Sequence, residues 1–227
     1  MALLEVCCGN LESVDAAVAG GARRIELCAD LELDGLTPPM AWLRTVRERY
    51  PDLTIQVLIR PRDRDFVYTP EEAELMAWQI DAALTFGADG IVIGCLTPDG
   101  EIDVPLMEAL INVVSGRASI TFHRAFDRCR HPFKALEQLI GLGCDRILTS
   151  GQEATAEEGC DRLRRLRRRA RGRIILLPGG GVTPENAPRI LALTGCTEFH
   201  ASASETIDGK KVTDADVVAG ILAAIKG

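Results

Sequence analysis

Short apolar stretches alternate along the whole chain with longer segments of helical periodicity. The short stretches are rich in leucine and β-branched residues, which is typical of buried parallel strands. They predict eight strands, at residues 3–7, 24–28, 54–60, 90–95, 119–124, 146–151, 174–178 and 197–202. Helical periodicity predicts helices between them, such as 70–86 and 104–114. This order predicts an α/β protein with one domain over residues 1–227, a (β/α)8 or TIM barrel.

The ends of the predicted helices carry signals of their own. Capping boxes predict helix starts at Thr69 and Thr155, and Thr183 before Pro184 predicts a third. A turn of glycine, a small residue and a polar residue recurs before every even-numbered strand, at residues 21–23, 87–89, 143–145 and 195–197. Such a repeat predicts four (β/α)2 units. Cys144 and Cys196 belong to these turns, which precede their strands. We therefore expect both cysteines at the end of the barrel opposite the carboxyl ends of the strands.

Composition narrows the function classes. The chain has 227 residues, of which 47% are apolar and 26% charged, which suits one globular domain. A net charge of −7 argues against nucleic acid and anionic membranes as partners. We find no apolar run of about 18 residues and no signal peptide at residues 1–10, so we expect a cytoplasmic protein. The eight cysteines form no CxxC pair, and we expect free thiols.

Residues 162–173 contain eight arginines. Leu163, Leu166 and Ala170 interrupt this run at helical spacing, which predicts a helix with one buried face. We expect its basic face to be solvated or to meet a partner, because one basic face on an acidic protein is weak evidence for nucleic-acid binding.

Polar residues occupy positions that barrel strands normally fill with valine, isoleucine or leucine. The inward positions near the strand ends are Glu5, Cys7, Glu26, Cys28, Arg60, Thr121, His123, Ser150, Glu198, His200 and Ser202, with Arg124 and Asp127 just beyond strand five. Burying so many ionisable groups is costly unless they pair with each other, a ligand or a metal. Since parallel strands end on one rim, these residues predict a functional site there.

Glu5-x-Cys7 and Glu26-x-Cys28 form the sharpest pattern in this set. They end adjacent strands, about 4.8 Å apart. Two thiolates placed in this way are suitable ligands for a soft ion such as Cu(I). The alternative is that both thiols are packing residues above a layer of carboxylates.

Other residues of the rim suit an organic anion. Arg60 and Arg124 are candidates to bind its charge, with Ser150, Ser202 and the loop Gly179, Gly180 and Gly181 as further donors. Candidate acid–base groups are Glu5, Glu26, His123, Asp127 and His200.

The same residues carry a family resemblance over nearly the full chain. The segments that carry it are 4–7, 21–28, 35–38, 59–62, 65–68, 121–127, 147–151, 180–182 and 198–202. In them the chain resembles the copper homeostasis protein CutC family. The resemblance implies a TIM barrel, commonly a homodimer, with a cytoplasmic role in copper handling and Cu(I) ligands at Cys7 and Cys28. One departure is Asp34, where the family often has a second glycine beside Gly35.

Three functions therefore stay open. The first is a Cu(I)-binding protein of copper homeostasis. The second is an enzyme that performs isomerase- or aldolase-type chemistry on a small phosphorylated or carboxylated metabolite. The third is a scaffold without catalytic activity.

Overall fold

The computed structural model describes residues 2–207 and 210–226 and shows a barrel of eight parallel strands. The strands are β1 (Leu3–Cys8), β2 (Arg24–Leu27), β3 (Thr54–Leu58), β4 (Gly90–Ile93), β5 (Ser119–Phe122), β6 (Arg146–Thr149), β7 (Ile175–Pro178) and β8 (Glu198–Ala201). The sheet runs from β7 in descending order to β1 and then to β8. A parallel bridge between Gly179 and His200 closes the ring. The predicted TIM barrel is confirmed.

Helices cover the outside of the barrel. They are α1 (Leu11–Ala19), α2 (Met40–Arg49), α3 (Pro70–Thr85), α4 (Val104–Val114), α5 (Pro132–Gly141), α6 (Cys160–Ala170), α7 (Ala187–Thr194) and α8 (Ala215–Lys226). A hairpin of β9 (Ser204–Ile207) and β10 (Lys210–Thr213), which we did not predict, separates β8 from α8. None of the helices in the described residues is long and apolar enough to cross a membrane.

Most strands end one or two residues earlier than the apolar pattern predicts. At β3, for example, the Arg60 N–H donates to the Thr37 hydroxyl oxygen rather than to a neighbouring strand. The predicted start of α7 at Thr183 is wrong by about one turn. Thr183 and Asn186 cap each other in a local turn, and the helix begins at Ala187.

The recurring glycine turns behave as predicted. Gly21, Gly87, Gly143 and Gly195 all have positive φ, between 68° and 93°. A residue with a Cβ is strained in this region, so glycine suits the end of each preceding helix. The basic segment also behaves as predicted, because α6 buries Leu163, Leu166 and Ala170 and exposes most of its arginines.

The two faces of a barrel strand contact different surroundings. On β1, Leu4, Val6 and Cys8 point outward into the apolar core under the helices, while Glu5 and Cys7 alternate with them and point into the barrel. The apolar layer between sheet and helices supplies the core. The barrel interior is therefore free to hold polar groups that meet at its carboxyl end.

The capping box at the start of α3 is confirmed, and it predicts a measurable effect. Thr69 Oγ1 accepts a hydrogen bond from the Glu72 N–H, and the Glu72 carboxylate accepts one from the Thr69 N–H. We expect Thr69→Ala to lower the free energy of unfolding by about 1 kcal/mol, measured by urea denaturation. Thr85→Ala, at the exposed last turn of the same helix, should have almost no effect. Equal losses in the two variants would contradict the prediction.

Candidate functional site

A cavity of about 770 Å³ opens at the carboxyl ends of the strands. The predicted site residues that line it are Cys7, Glu26, Cys28, Arg60, His123, Arg124, Asp127, Gly180, Gly181, His200 and Ser202. Five predicted residues, including Thr121 and Glu198, lie outside its wall. Glu5 is one layer deeper in the barrel, Ser150 lies behind Arg124 and Asp127, and Gly179 donates its N–H to the Thr149 carbonyl.

A chain of ions lies beneath the cavity floor. Arg24 is 3% exposed and lies between two carboxylates, with its Nε 2.7 Å from Glu5 Oε2 and its Nη2 on Glu198. The same Glu198 oxygen accepts a hydrogen bond from Arg146 at 3.0 Å. Burial raises the pKa of Glu5 above its ordinary value. The arginines therefore compensate the negative charges of Glu5 and Glu198, which would be unfavourable in the barrel interior without a cation beside them.

His200 and Glu26 form the next layer. His200 Nε2 lies 2.7 Å from Glu26 Oε2, and both side chains are buried. Burial disfavours the charged imidazole, but Glu26 and Cys7 together outweigh it and raise the pKa of His200 well above its ordinary value. Burial likewise opposes the charge on Glu26, but His200 lowers the pKa of Glu26 in return. We therefore describe the pair as imidazolium and carboxylate at neutral pH.

Cys7 and Cys28 meet on the cavity wall. Their Sγ atoms are 3.5 Å apart, and both thiols are buried beside Leu58 and Val92 inside the barrel. The hydrogen bond with Cys28, together with burial, raises the pKa of the Cys7 thiol well above its ordinary value. Both groups are thus thiols at neutral pH in the metal-free protein. The ligand atoms of Cys7, Glu26 and His200 also lie within 4.8 Å of one another.

Asp127 organises the opposite side of the cavity. It accepts hydrogen bonds from Arg124 Nε at 2.8 Å and from the Ser150 hydroxyl at 3.0 Å. It also accepts from the Thr149 hydroxyl and from the N–H groups of Ser150 and Gln152. Asp127 therefore holds the Arg124 guanidinium and the loop after β6 in one arrangement. With all these donors, the carboxylate is an anchor in the structure, and its predicted acid–base role stays a prediction.

His123 ends β5 in a buried position. Its Nδ1 accepts a hydrogen bond from the Ala125 N–H at 3.1 Å, while its Nε2 has no partner in the described residues. Burial lowers the pKa of His123 to about 4, so the ring is neutral at neutral pH. His123 and His200 thus differ in charge although both lie on the cavity wall.

Arg60 is committed to the loop that follows β2. Its Nη1 donates to the carbonyls of Leu33 and Gly35 at 2.7 and 2.8 Å, and its guanidinium lies 5.3 Å from the Phe66 ring centre. These contacts fix the shape of the cavity rim. They occupy Nη1, while the buried Nε has no partner in the described residues, and Arg60 as an anion ligand stays a prediction.

The loop after β7 lies near Arg124. Gly180 and Gly181 have φ values of +102° and +70°, which a residue with a side chain rarely adopts. A Cβ at Gly180 would lie 3.4 Å from Arg124 Nη1, so the glycine lets the guanidinium approach the backbone.

Comparisons with known proteins agree with this geometry. A model of the CutC family matches residues 2–205. The chain belongs to the CutC family. A relative from Bacteroides thetaiotaomicron, named family protein CutC, is 53% identical over 89% of this chain and 81% of its own length. The human relative, named copper homeostasis protein cutC homolog, is 45% identical over 96% of this chain and 80% of its own.

A solved CutC structure from Streptococcus agalactiae has the same architecture. It superposes with a TM-score of 0.85 and is 32% identical, covering 89% of this chain and 99% of its own. The identity and the TM-score together confirm both the family and the barrel.

Asp34, the position at which we noted a departure from the family pattern, has a left-handed backbone conformation. Its φ is +62°, and it directly precedes Gly35, whose φ is +85°. Aspartate tolerates the left-handed region better than most residues. The loop therefore keeps two successive left-handed residues, and Arg60 holds it through the flanking carbonyls.

Two arginines of the CutC interior escaped the sequence prediction. Arg24 lies two residues before Glu26, and Arg146 begins β6, so both share the inward parity of the predicted set. Our prediction covered only inward positions near the carboxyl ends of the strands, so it did not include these two residues at strand starts. The inward parity together with an excess of carboxylates was the signal that could have found them.

Cys144 and Cys196 are buried before β6 and β8, and neither lines the large cavity.

Proposed function

We propose that this CutC-family protein acts in copper homeostasis by binding one Cu(I) ion as cargo between the thiolates of Cys7 and Cys28. The observation that carries the proposal is the 3.5 Å contact between two buried Sγ atoms on the wall of an open cavity. Two sulfur ligands within reach of one ion favour soft metals over hard ones.

The spacing suggests how the ion would be held. Metal–thiolate bonds are about 2.3 Å long for zinc, and similar bonds would let one ion contact both sulfurs at their present separation. A linear arrangement would need sulfurs about 4.6 Å apart on the same bond length, so the present spacing favours a bent one with a third donor. Glu26 and His200 lie beside Cys7. The Glu26 carboxylate offers such a donor, whereas His200 would first have to lose its proton.

Proton release should accompany binding. The raised pKa of both thiols keeps them protonated in the metal-free protein, and the metal binds thiolates. The apparent affinity should therefore rise with pH across the neutral range. The expected slope is between about tenfold and about hundredfold per pH unit, for one or two protons released.

The test is an anaerobic titration of the reduced full chain with Cu(I) against a chromophoric chelator. We expect one Cu(I) per chain and at least about hundredfold weaker binding in the Cys7→Ser/Cys28→Ser double variant, since both sulfur ligands are lost.

Cys8→Ser is the matched control, because Cys8 follows Cys7 on the same strand but faces the helices. It should retain wild-type affinity. Melting curves of all variants report whether they fold. Unchanged affinity in the folded double variant would rule out the proposal, and so would an equal loss in Cys8→Ser.

We further propose that the protein works in the cytoplasm. All eight cysteines are free and buried, which suits a reducing compartment. The homodimer, the enzymatic alternative and the scaffold stay predictions.

A further inference from the structure

The neighbouring half of the cavity contains a hydrogen-bond donor without an acceptor. The Ala125 N–H can only donate, so His123 Nδ1 accepts from it and carries no proton. The proton of the neutral ring is therefore on Nε2. This N–H is buried, and none of the described residues accepts its hydrogen bond. Buried donors are rarely left without a partner in native proteins, which points to a ligand outside the chain.

The His123 ring is held in place from three sides. The Ala125 N–H fixes Nδ1, and the Phe66 ring lies 5.0 Å away between ring centres. Gly94 supports the third side, because a Cβ there would lie 2.4 Å from Nδ1 and Cε1 of His123. A residue with a side chain in place of Gly94, directly after β4, would therefore collide with the His123 ring. A donor that is fixed before binding loses little entropy when a ligand arrives.

A cation accompanies this donor on the cavity wall. Arg124 follows His123 directly, and its Nε and Nη2 are oriented by Asp127 and Ser150. Among the described residues, Arg124 Nη1 forms no hydrogen bond, whereas Nε and Nη2 each form one. The cavity volume of about 770 Å³ is far more than one metal ion needs and falls in the range of small-molecule sites.

We propose that this half of the cavity binds a small organic carboxylate that carries a further oxygen, such as a 2-oxo oxygen. The carboxylate contacts Arg124, and the further oxygen accepts a hydrogen bond from His123 Nε2–H. The proposed contacts use other side chains of the same cavity than the proposed copper pair and need no metal. The His123 side chain acts in it as a binding donor. It is neither a metal ligand nor an acid–base group there.

A matched pair of probes tests the donor. We would titrate the reduced, copper-free full chain with 2-oxobutyrate and with butyrate, which lacks the 2-oxo oxygen, and follow binding by NMR of the ¹⁵N-labelled protein. Wild type should bind 2-oxobutyrate about tenfold more tightly, the effect of one hydrogen bond. The His123 Nε2–H signal should be visible and should shift on binding. Inorganic phosphate, as a third probe, shows whether the cavity simply attracts any anion by its charge.

Variants assign the effect to His123. In His123→Phe the preference for 2-oxobutyrate should disappear, while His131→Phe, at an exposed histidine outside the cavity, should keep it. The tautomer is measured on wild type, so the test does not depend on the folding of a variant. A proton on Nδ1, equal affinity for the two carboxylates, or binding of phosphate alone would each overturn the proposal. Loss of Cu(I) binding in the cysteine variants would leave it unaffected.

Discussion

Arg24→Met should lower the free energy of unfolding by about 3 to 5 kcal/mol, the largest effect that we expect for any single replacement in this protein. The guanidinium lies between the carboxylate of Glu5, which is buried, and that of Glu198, which is partly buried. Methionine keeps most of the side-chain volume but removes the charge. Both carboxylates would then lie next to fewer cations. Only Arg146 still bonds Glu198, and His200 Nε2 is 4.0 Å from Glu5.

The loss should depend on pH in a defined direction. Without Arg24, the pKa of Glu5 in the folded state, which burial already raises, should rise further above its unfolded value. Protonation at acidic pH then relieves the native state, so the difference from wild type should be smaller at about pH 5 than at about pH 7.

Urea denaturation at both pH values measures this prediction. Arg23→Met is the matched control, because Arg23 is the exposed neighbour of Arg24 and should change the free energy of unfolding by less than about 0.5 kcal/mol. Equal free energies of unfolding for the two variants would contradict the prediction that the ion chain beneath the cavity stabilises the fold.

Gly159→Ala should cost about 2 to 3 kcal/mol. Gly159 directly precedes α6, and a Cβ there would lie 1.8 Å from the backbone oxygen of Ser150. Its φ of −81° is open to any residue, so the cost is a clash and not a conformational preference. To relieve the clash, α6 must move away from the loop that contains Ser150, which contacts Asp127 and Arg124.

Gly141→Ala supplies the comparison for this prediction. Gly141 is the last residue of α5, and a Cβ there would meet nothing within 4 Å. Alanine should leave the free energy of unfolding unchanged or raise it by up to about 1 kcal/mol, because glycine is a poor helix former. Thermal or urea unfolding of both variants measures the contrast. A stability loss in Gly141→Ala as large as that in Gly159→Ala would contradict the steric explanation.

Much of the barrel could be predicted from local patterns. Residues at alternate positions of β1 and β2 separate into an outer apolar face and an inner polar face, since strands repeat every two residues. The glycine turns and the capping box at Thr69 are local as well. The strand ends were less predictable, because they depend on hydrogen bonds to distant residues such as the one between Arg60 and Thr37. The start of α7 was less predictable because Thr183 and Asn186 cap each other in a local turn before the helix.

The sequence by itself determined which strand residues point into the barrel, because parity along each strand and the common direction of parallel strands are properties of the chain. Only the tertiary structure decided how those side chains pair. His200 is in register with Glu5 on β1, yet its Nε2 bonds Glu26 on β2. His123 bonds a backbone N–H and stays neutral, whereas His200 meets a carboxylate and is charged. Charge and tautomer depend on contacts within a few ångströms, and the stagger of strands in the closed barrel sets those contacts.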